Sequence, residues 1–185
     1  MKANALFLVY ICAMLWVACN QIQAPLDIII TNTDSSLLKT DHGWTYKNKP
    51  FNGYVVEVEN DGSIVYKLPI INGKENGLAI GYYNSGEKLL ERQFFKGKKQ
   101  GVFKQWWPNG NLRYSFNYNH DKYDGKQTIY FHFGKMQEEK NYLNGVEEGI
   151  QRIWDSTGNL ISNYTVKNNK MYGAISAKDC MPVFH

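Results

Sequence analysis

Apolar positions recur in this chain with two periods, one of two residues and one of 24. Counting from Gly62, Gly86, Gly110, Gly134 and Gly158, the eighth residue on is Ile70, Phe94, Tyr118, Tyr142 or Val166. The fifth is Lys67, Glu91, Ser115, Glu139 or Asn163. Offset two is mainly apolar (Ile64, Lys88, Leu112, Met136, Leu160), and offset six is mixed (Leu68, Arg92, Phe116, Lys140, Tyr164). Even offsets apolar and odd offsets polar predict strands with one buried face. No stretch of this region shows a helical period with caps.

A second glycine series, Gly53, Gly77, Gly101, Gly125, Gly149 and Gly173, has the same 24-residue step. Between the two series lie first arms such as "GVFKQWWPNG" and "GIQRIWDSTG", ending in Asn, Asp, Ser, Pro and Gly, which suit hairpin loops. These eleven glycines therefore read as turn and bracket positions. A third slot holds Gly73, Gly97, Asp121, Gly145 and Asn169. Its non-glycine members are residues that tolerate positive φ, so the slot predicts a left-handed turn. Five residues past the first glycine stand Val58, Tyr82, Trp106, Tyr130 and Trp154, apolar in every repeat and read as an inward slot. The next residues, Glu59, Tyr83, Trp107, Phe131 and Asp155, face the other way.

The predicted fold is all-β: an elongated antiparallel β-meander of hairpin repeats, with a 24-residue period and about five to six repeats. Flanking strands are expected near 44–49 and 173–177, giving a sheet ~55 Å long. Contacts should run mainly between neighbouring repeats.

Composition adds one exclusion. Aromatics are 15% of the chain and charged residues 21%, which is not a disordered composition. The formal charge is only +4 and no basic run dominates, so nucleic acid is not an expected partner.

The start of the chain changes the picture more. "MKANALFLVYICAMLWVAC" has an early lysine, Lys2, followed by an apolar run too short to span a bilayer. That is the shape of an export signal. It ends in Ala18-Cys19, a small residue directly before cysteine, which resembles a bacterial lipobox with Trp16 in place of the usual aliphatic residue. A lipoprotein signal is the leading reading; an ordinary signal peptide and a membrane anchor are the alternatives. On the leading reading, residues 1–18 are the signal and Cys19 carries lipid and tethers the chain to a membrane. Residues 19–42 form a tether (to which Ile28-Ile29-Ile30 could add a strand), 43–178 the repeat domain and 179–185 a tail. Cys180 would then be the one remaining thiol, and no internal disulfide is expected.

Catalytic chemistry finds little purchase. His42, His120, His132 and His185 have no metal-binding spacing, and no nucleophile elbow, phosphate loop or C-x-x-C is present. The pairs Glu138-Glu139 and Glu147-Glu148 point to opposite faces of a strand and do not converge. Neither an enzyme, a metal nor a cofactor is expected.

The run "YNSGEKLLERQFFKGKKQGVFKQWWPNGNLRYSFNY" resembles the variant MORN (membrane occupation and recognition nexus) repeats of bacteria. The shared pattern is aromatic-x-x-Gly-x-Leu, then Gly-Lys-x-x-Gly, then aromatic-aromatic-Pro-Asn-Gly. It extends over about residues 43 to 178, and "KPFNGYVV" is similar to the usual entry into such arrays. The resemblance implies no catalytic motif. Members of this kind are labelled antitoxin-like, or act as scaffolds and membrane-associated modules. The fourth repeat departs from the pattern, with "FHFG" where a turn former belongs and Asp121 in the glycine slot. The leading expectation is a lipid-anchored module that binds an unknown protein as a scaffold at the cell envelope; the first alternative is an antitoxin or immunity protein whose partner is a toxin. Direct binding of glycan or lipid is a further alternative. Aromatic anchors are common at interfaces, which makes Tyr83, Trp107, Phe131, His132 and Phe133 the candidate contact residues.

Overall fold

A computed structural model describes residues 27–173. The elements in order are β1 (Ile29–Thr31), β2 (Leu37–Thr40), β3 (Gly43–Tyr46), β4 (Lys49–Pro50), β5 (Gly53–Val58), β6 (Ile64–Ile71), β7 (Lys74–Glu75), β8 (Gly77–Tyr82) and β9 (Lys88–Phe95). There follow β10 (Lys98–Trp106), β11 (Leu112–Asn119), β12 (Lys122–Tyr123), β13 (Gly125–Tyr130), β14 (Met136–Leu143), β15 (Val146–Glu147), β16 (Gly149–Trp154), β17 (Leu160–Lys167) and β18 (Lys170–Tyr172). Fifteen strands form one open sheet whose long strands pair in chain order, the expected hairpin meander. The lipidation and signal residues, Cys180 and the tail lie outside the described residues, as does most of the strand expected at 173–177.

Each repeat uses two kinds of turn. The first joins the two long arms. In the third repeat the Trp107 N–H donates to the Asn111 carbonyl (2.8 Å), and Gly110 N–H donates back to the Trp107 carbonyl (2.9 Å) at φ +82°. The second is a two-residue hairpin with both central residues left-handed, for example His120 (φ 49°) and Asp121 (φ 70°). Two positive φ values in succession give the twist that antiparallel arms need. This agrees with the substitution pattern of the third slot. The residue before that slot (Asn72, Lys96, His120, Asn144 or Asn168) is also left-handed. The sequence pattern did not mark this position, because lysine and histidine do not announce positive φ.

The inward slot needs correction. Gln105 pairs with Tyr114, but Trp106 pairs with Leu112, so Arg113 is left over as a bulge. The same shift occurs at Glu57/Val58, Gly81/Tyr82, Ile129/Tyr130 and Ile153/Trp154. Below the bulge the packed face is formed by the second and fourth residues after the first glycine, together with even offsets of the second arm. Val55 pairs with Leu68 and Phe103 with Phe116. Val58 and its equivalents stand on the reverse face: Val58 is 39% exposed, and Tyr82, Trp106, Tyr130 and Trp154 are half-buried. They remain apolar because they line the turns, where Lys88 Nζ lies 5.4 Å from the Trp106 ring.

The stretch expected as a tether is partly folded. β1 joins the sheet edge parallel to β5, with Ile29 opposite Tyr54. β2, β3 and β4 form a separate three-stranded sheet, so the strand expected near 44–49 is not part of the long meander. β1 occupies the edge of β5, and the small sheet packs on the apolar face instead. Leu37 and Phe51 are buried there with Val55, Leu68, Ile70 and Ala79, flanked by Trp44 and Tyr46. This cap covers the first two repeats.

Between repeats the ladder breaks. β11 pairs with β12 at Tyr118–Tyr123 and with β13 at Tyr114–Ile129, a register that leaves two residues over. The backbone of Asn117 faces the gap, and a side chain fills it. Asn117 N–H donates to Gln127 Oε1 (2.7 Å), while Gln127 Nε2 donates to the Asn117 carbonyl (3.1 Å). Gln151 repeats this against Asn141 (3.1 and 2.9 Å) and is fully buried. Buried polar groups need such partners. Ala79 stands in the equivalent slot of the second repeat. Opposite it is Pro69, which has no N–H to satisfy.

Candidate functional site

Beyond the cap the packed face continues without a cover among the described residues. It changes character along the array. Aliphatic side chains under the cap give way to rings in the middle and to paired charges at the far end. Seven rings touch in sequence. Phe94 meets Phe103 (5.3 Å), Phe103 meets Tyr118 (4.7 Å), and Tyr118 meets Tyr123 (4.9 Å). Tyr123 then meets Phe116 (5.5 Å) and Tyr142 (5.2 Å), and Phe116 stacks on Tyr114 (4.4 Å, 9° between planes). Each such pair contributes on the order of 0.5–1.5 kcal/mol beyond its area. Phe103 is buried and the other six rings are half-buried, so the row is both support and surface.

A groove of about 140 Å³ opens in this row, lined by Phe116, Tyr123, Gln127, Ile129, Glu138, Lys140 and Tyr142. Register explains the lining. Ile129 pairs with Glu138, Gln127 with Lys140, and Gly125 with Tyr142, all on one face. The absence of a side chain at Gly125 leaves Tyr142 uncrossed. Lys140 Nζ lies 3.0 Å from Glu138 and 3.4 Å from Glu147. Burial alone would lower the lysine, but the two carboxylates hold it well above its ordinary value. The Tyr142 hydroxyl donates to Glu147 at 3.5 Å, and the Tyr164 hydroxyl donates to the same carboxylate at 3.3 Å. Burial raises both phenols, helped by the Glu147 charge. Tyr118 is raised by burial and by its hydrogen bond with Tyr123. A raised lysine stays charged and raised phenols stay neutral at neutral pH.

The five residues singled out in the sequence lie elsewhere, along the rim formed by the long turns. The Tyr83 hydroxyl donates to the Trp106 carbonyl of the next repeat (2.7 Å). Trp107 Nε1 donates to the Tyr130 carbonyl (3.3 Å), and the Arg113 guanidinium sits 4.5 Å from its ring centre. Phe131 stacks on Phe133 (5.2 Å), whose edge meets His132 (5.0 Å). The His132 carbonyl accepts from Asn109 (2.7 Å) and Asn111 (2.9 Å). Tyr83 and Trp107 thus staple one turn to the next. Half-buried Phe131 and exposed His132 and Phe133 form a small cluster at the fourth turn.

Sequence reasoning did not single out the aromatic groove. Its signal was present, since offsets six and eight carry Phe116, Tyr118 and Tyr142. The partner arm was not identifiable, because the bulge that sets its parity leaves no mark in composition.

Comparison with known families adds one finding. Residues 99–120 and 123–144 match the MORN repeat variant family, and these two segments hold every ring of the row but Phe94 and all the residues that line the groove. The match supports a repeat protein with a binding role. No curated protein matches the chain.

Proposed function

We propose that this is a non-catalytic, lipid-anchored repeat protein that binds another protein at the bacterial cell envelope through the aromatic face of its middle repeats. The observation that carries the reading is the row of half-buried rings running from Phe94 to Tyr142. Rigid aromatic side chains bury much area at little entropic cost, which is why they anchor interfaces. The family match to repeats with a binding role supports the same reading. The envelope location and the lipid on Cys19 rest on the export-signal pattern alone.

Affinity capture from envelope extract tests the binding face. Phe116→Ala and Tyr123→Ala, in folded protein, are expected to lose the captured partner. A partner retained by both variants refutes the assignment. Cys19→Ser is expected to move the protein from the membrane to the soluble fraction; unchanged fractionation refutes the anchor.

A further inference from the structure

Beside the far end of the groove, the array repeats the slot of an acid that the protein's own cap occupies elsewhere. Glu75 and Glu147 occupy the same slot, three 24-residue periods apart. At Glu75 the slot is occupied by the cap. Trp44 Nε1 donates to the carboxylate (3.0 Å) and Lys39 Nζ pairs with it (3.1 Å). Burial would raise this acid, but the indole N–H, its own backbone and Lys39 outweigh burial and lower it. Backbone supports the seat, since Trp44 N–H donates to the Gly73 carbonyl (2.6 Å). The intervening repeats carry Lys99 and Tyr123 in this slot, so the acidic version returns only at Glu147 among the described repeats.

At Glu147 there is no cap among the described residues, and the charge is not balanced. One ammonium, Lys140, faces two carboxylates, Glu138 and Glu147. The Tyr123 and Tyr142 rings flank them, as apolar side chains flank the Trp44 seat. We infer that this end of the groove seats a β-ribbon of a partner polypeptide carrying an aromatic N–H donor and a basic residue, held against Glu147 as Trp44 and Lys39 are held against Glu75. The inference rests on the protein-binding reading of this face and names the kind of segment it takes. Glu147 already accepts from Lys140 and from the Tyr142 and Tyr164 hydroxyls, but one ammonium against two carboxylates leaves a negative charge uncompensated, and a cation is favoured there because charge-assisted hydrogen bonds are strong in a half-buried site.

The test uses the protein's own cap as the probe. A peptide of residues 36–47, closed as the β2–β3 hairpin by a disulfide between cysteines placed at 36 and 47, where Lys47 N–H meets the Ser36 carbonyl (3.0 Å), is titrated into the full mature chain and followed by calorimetry. Binding is expected, weakened about tenfold or more by Glu147→Gln in the protein or by a Lys39→Ala change in the peptide. Glu87→Gln, an exposed turn variant, should leave it unchanged. No binding at millimolar peptide, binding insensitive to Glu147→Gln, or binding lost only with Glu75→Gln overturns the inference. Self-association of the chain abolished by Glu147→Gln would assign the groove to a second copy, and oligosaccharide binding abolished by it would assign the groove to a glycan; either result also overturns the inference. Envelope capture that depends on Phe116 but not on Glu147 leaves the protein-binding reading standing and removes this one alone.

Discussion

Replacing Gln151 by Ala isolates the side chain that closes the break between the last two full repeats. Gln151 is fully buried, and its amide makes three hydrogen bonds to backbone. The Asn141 carbonyl keeps a second donor in Glu148 N–H (3.0 Å), so it is not orphaned. The Asn141 N–H has no such reserve, and stranding it costs about 1–3 kcal/mol. Loss of one buried methylene adds roughly 0.8 kcal/mol. The sum, ~3 kcal/mol, corresponds to a fall in Tm on the order of 6–12 °C for a chain of this size. Contacts run between neighbouring strands, so the damage should stay local. Hydrogen exchange followed by NMR should show the Asn141 amide and its neighbours in β14–β17 exchanging early, while β5–β9 keep their protection. A second variant checks the donor role. Gln151→Glu can accept from Asn141 N–H, but as a carboxylate it turns an acceptor towards two carbonyls. Its folded pKa should rise, so its stability is full below the unfolded value of about 4.3 and is lost as pH rises through the folded one. Gln151→Ala with under ~1 kcal/mol of destabilisation and unchanged exchange at Asn141 would refute the reasoning.

Three further outcomes follow from the same structure. Glu75→Gln should loosen the cap by ~1 kcal/mol. Because the Glu75 carboxyl is lowered on folding, its contribution is present above about pH 4.3 and lost as pH falls through the folded value. Acid unfolding followed by Trp fluorescence should therefore show a shallower pH dependence in the variant. Gly43→Ala should cost ~3 kcal/mol or more, since its Cβ would lie 2.3 Å from the Gly73 carbonyl oxygen at φ +122°. Gly110→Ala, also left-handed but with nothing within 4 Å, should cost only ~1 kcal/mol, a difference that urea titration of the two variants reads directly. Trp107→Ala should lower Tm through the lost staple to Tyr130 yet retain more partner capture than Phe116→Ala does; equal loss in both would return the rim to the binding surface.

The repeat was legible because its turns need particular residues. Glycines in phase, and Asp or Asn where glycine is missing, report backbone φ directly. The sheet face was half legible. Ile70, Phe94, Tyr118 and Tyr142 sit where alternation puts them, but alternation breaks at each bulge. A bulge residue such as Arg113 looks like any exposed residue. The cap was least legible. Its placement depends on β1 occupying the β5 edge and on Trp44 reaching Glu75 over a separation of 31 residues, which local pattern does not encode. The groove needed both facts, since it begins where the cap ends.

The identical register of every hairpin has a genetic consequence. Each repeat meets its neighbours through the same pairings, the same bulge and the same two-residue turn. Excising 24 residues from the middle of the array would rejoin matching halves and shorten the sheet by two strands, without creating a new backbone register. Duplication would lengthen it in the same increments. Copy number is thus a dial that unequal recombination can turn in the gene. The distance between the capped end and the charged end of the ring row would change in steps of about 10 Å, two strand spacings, while both ends stay intact.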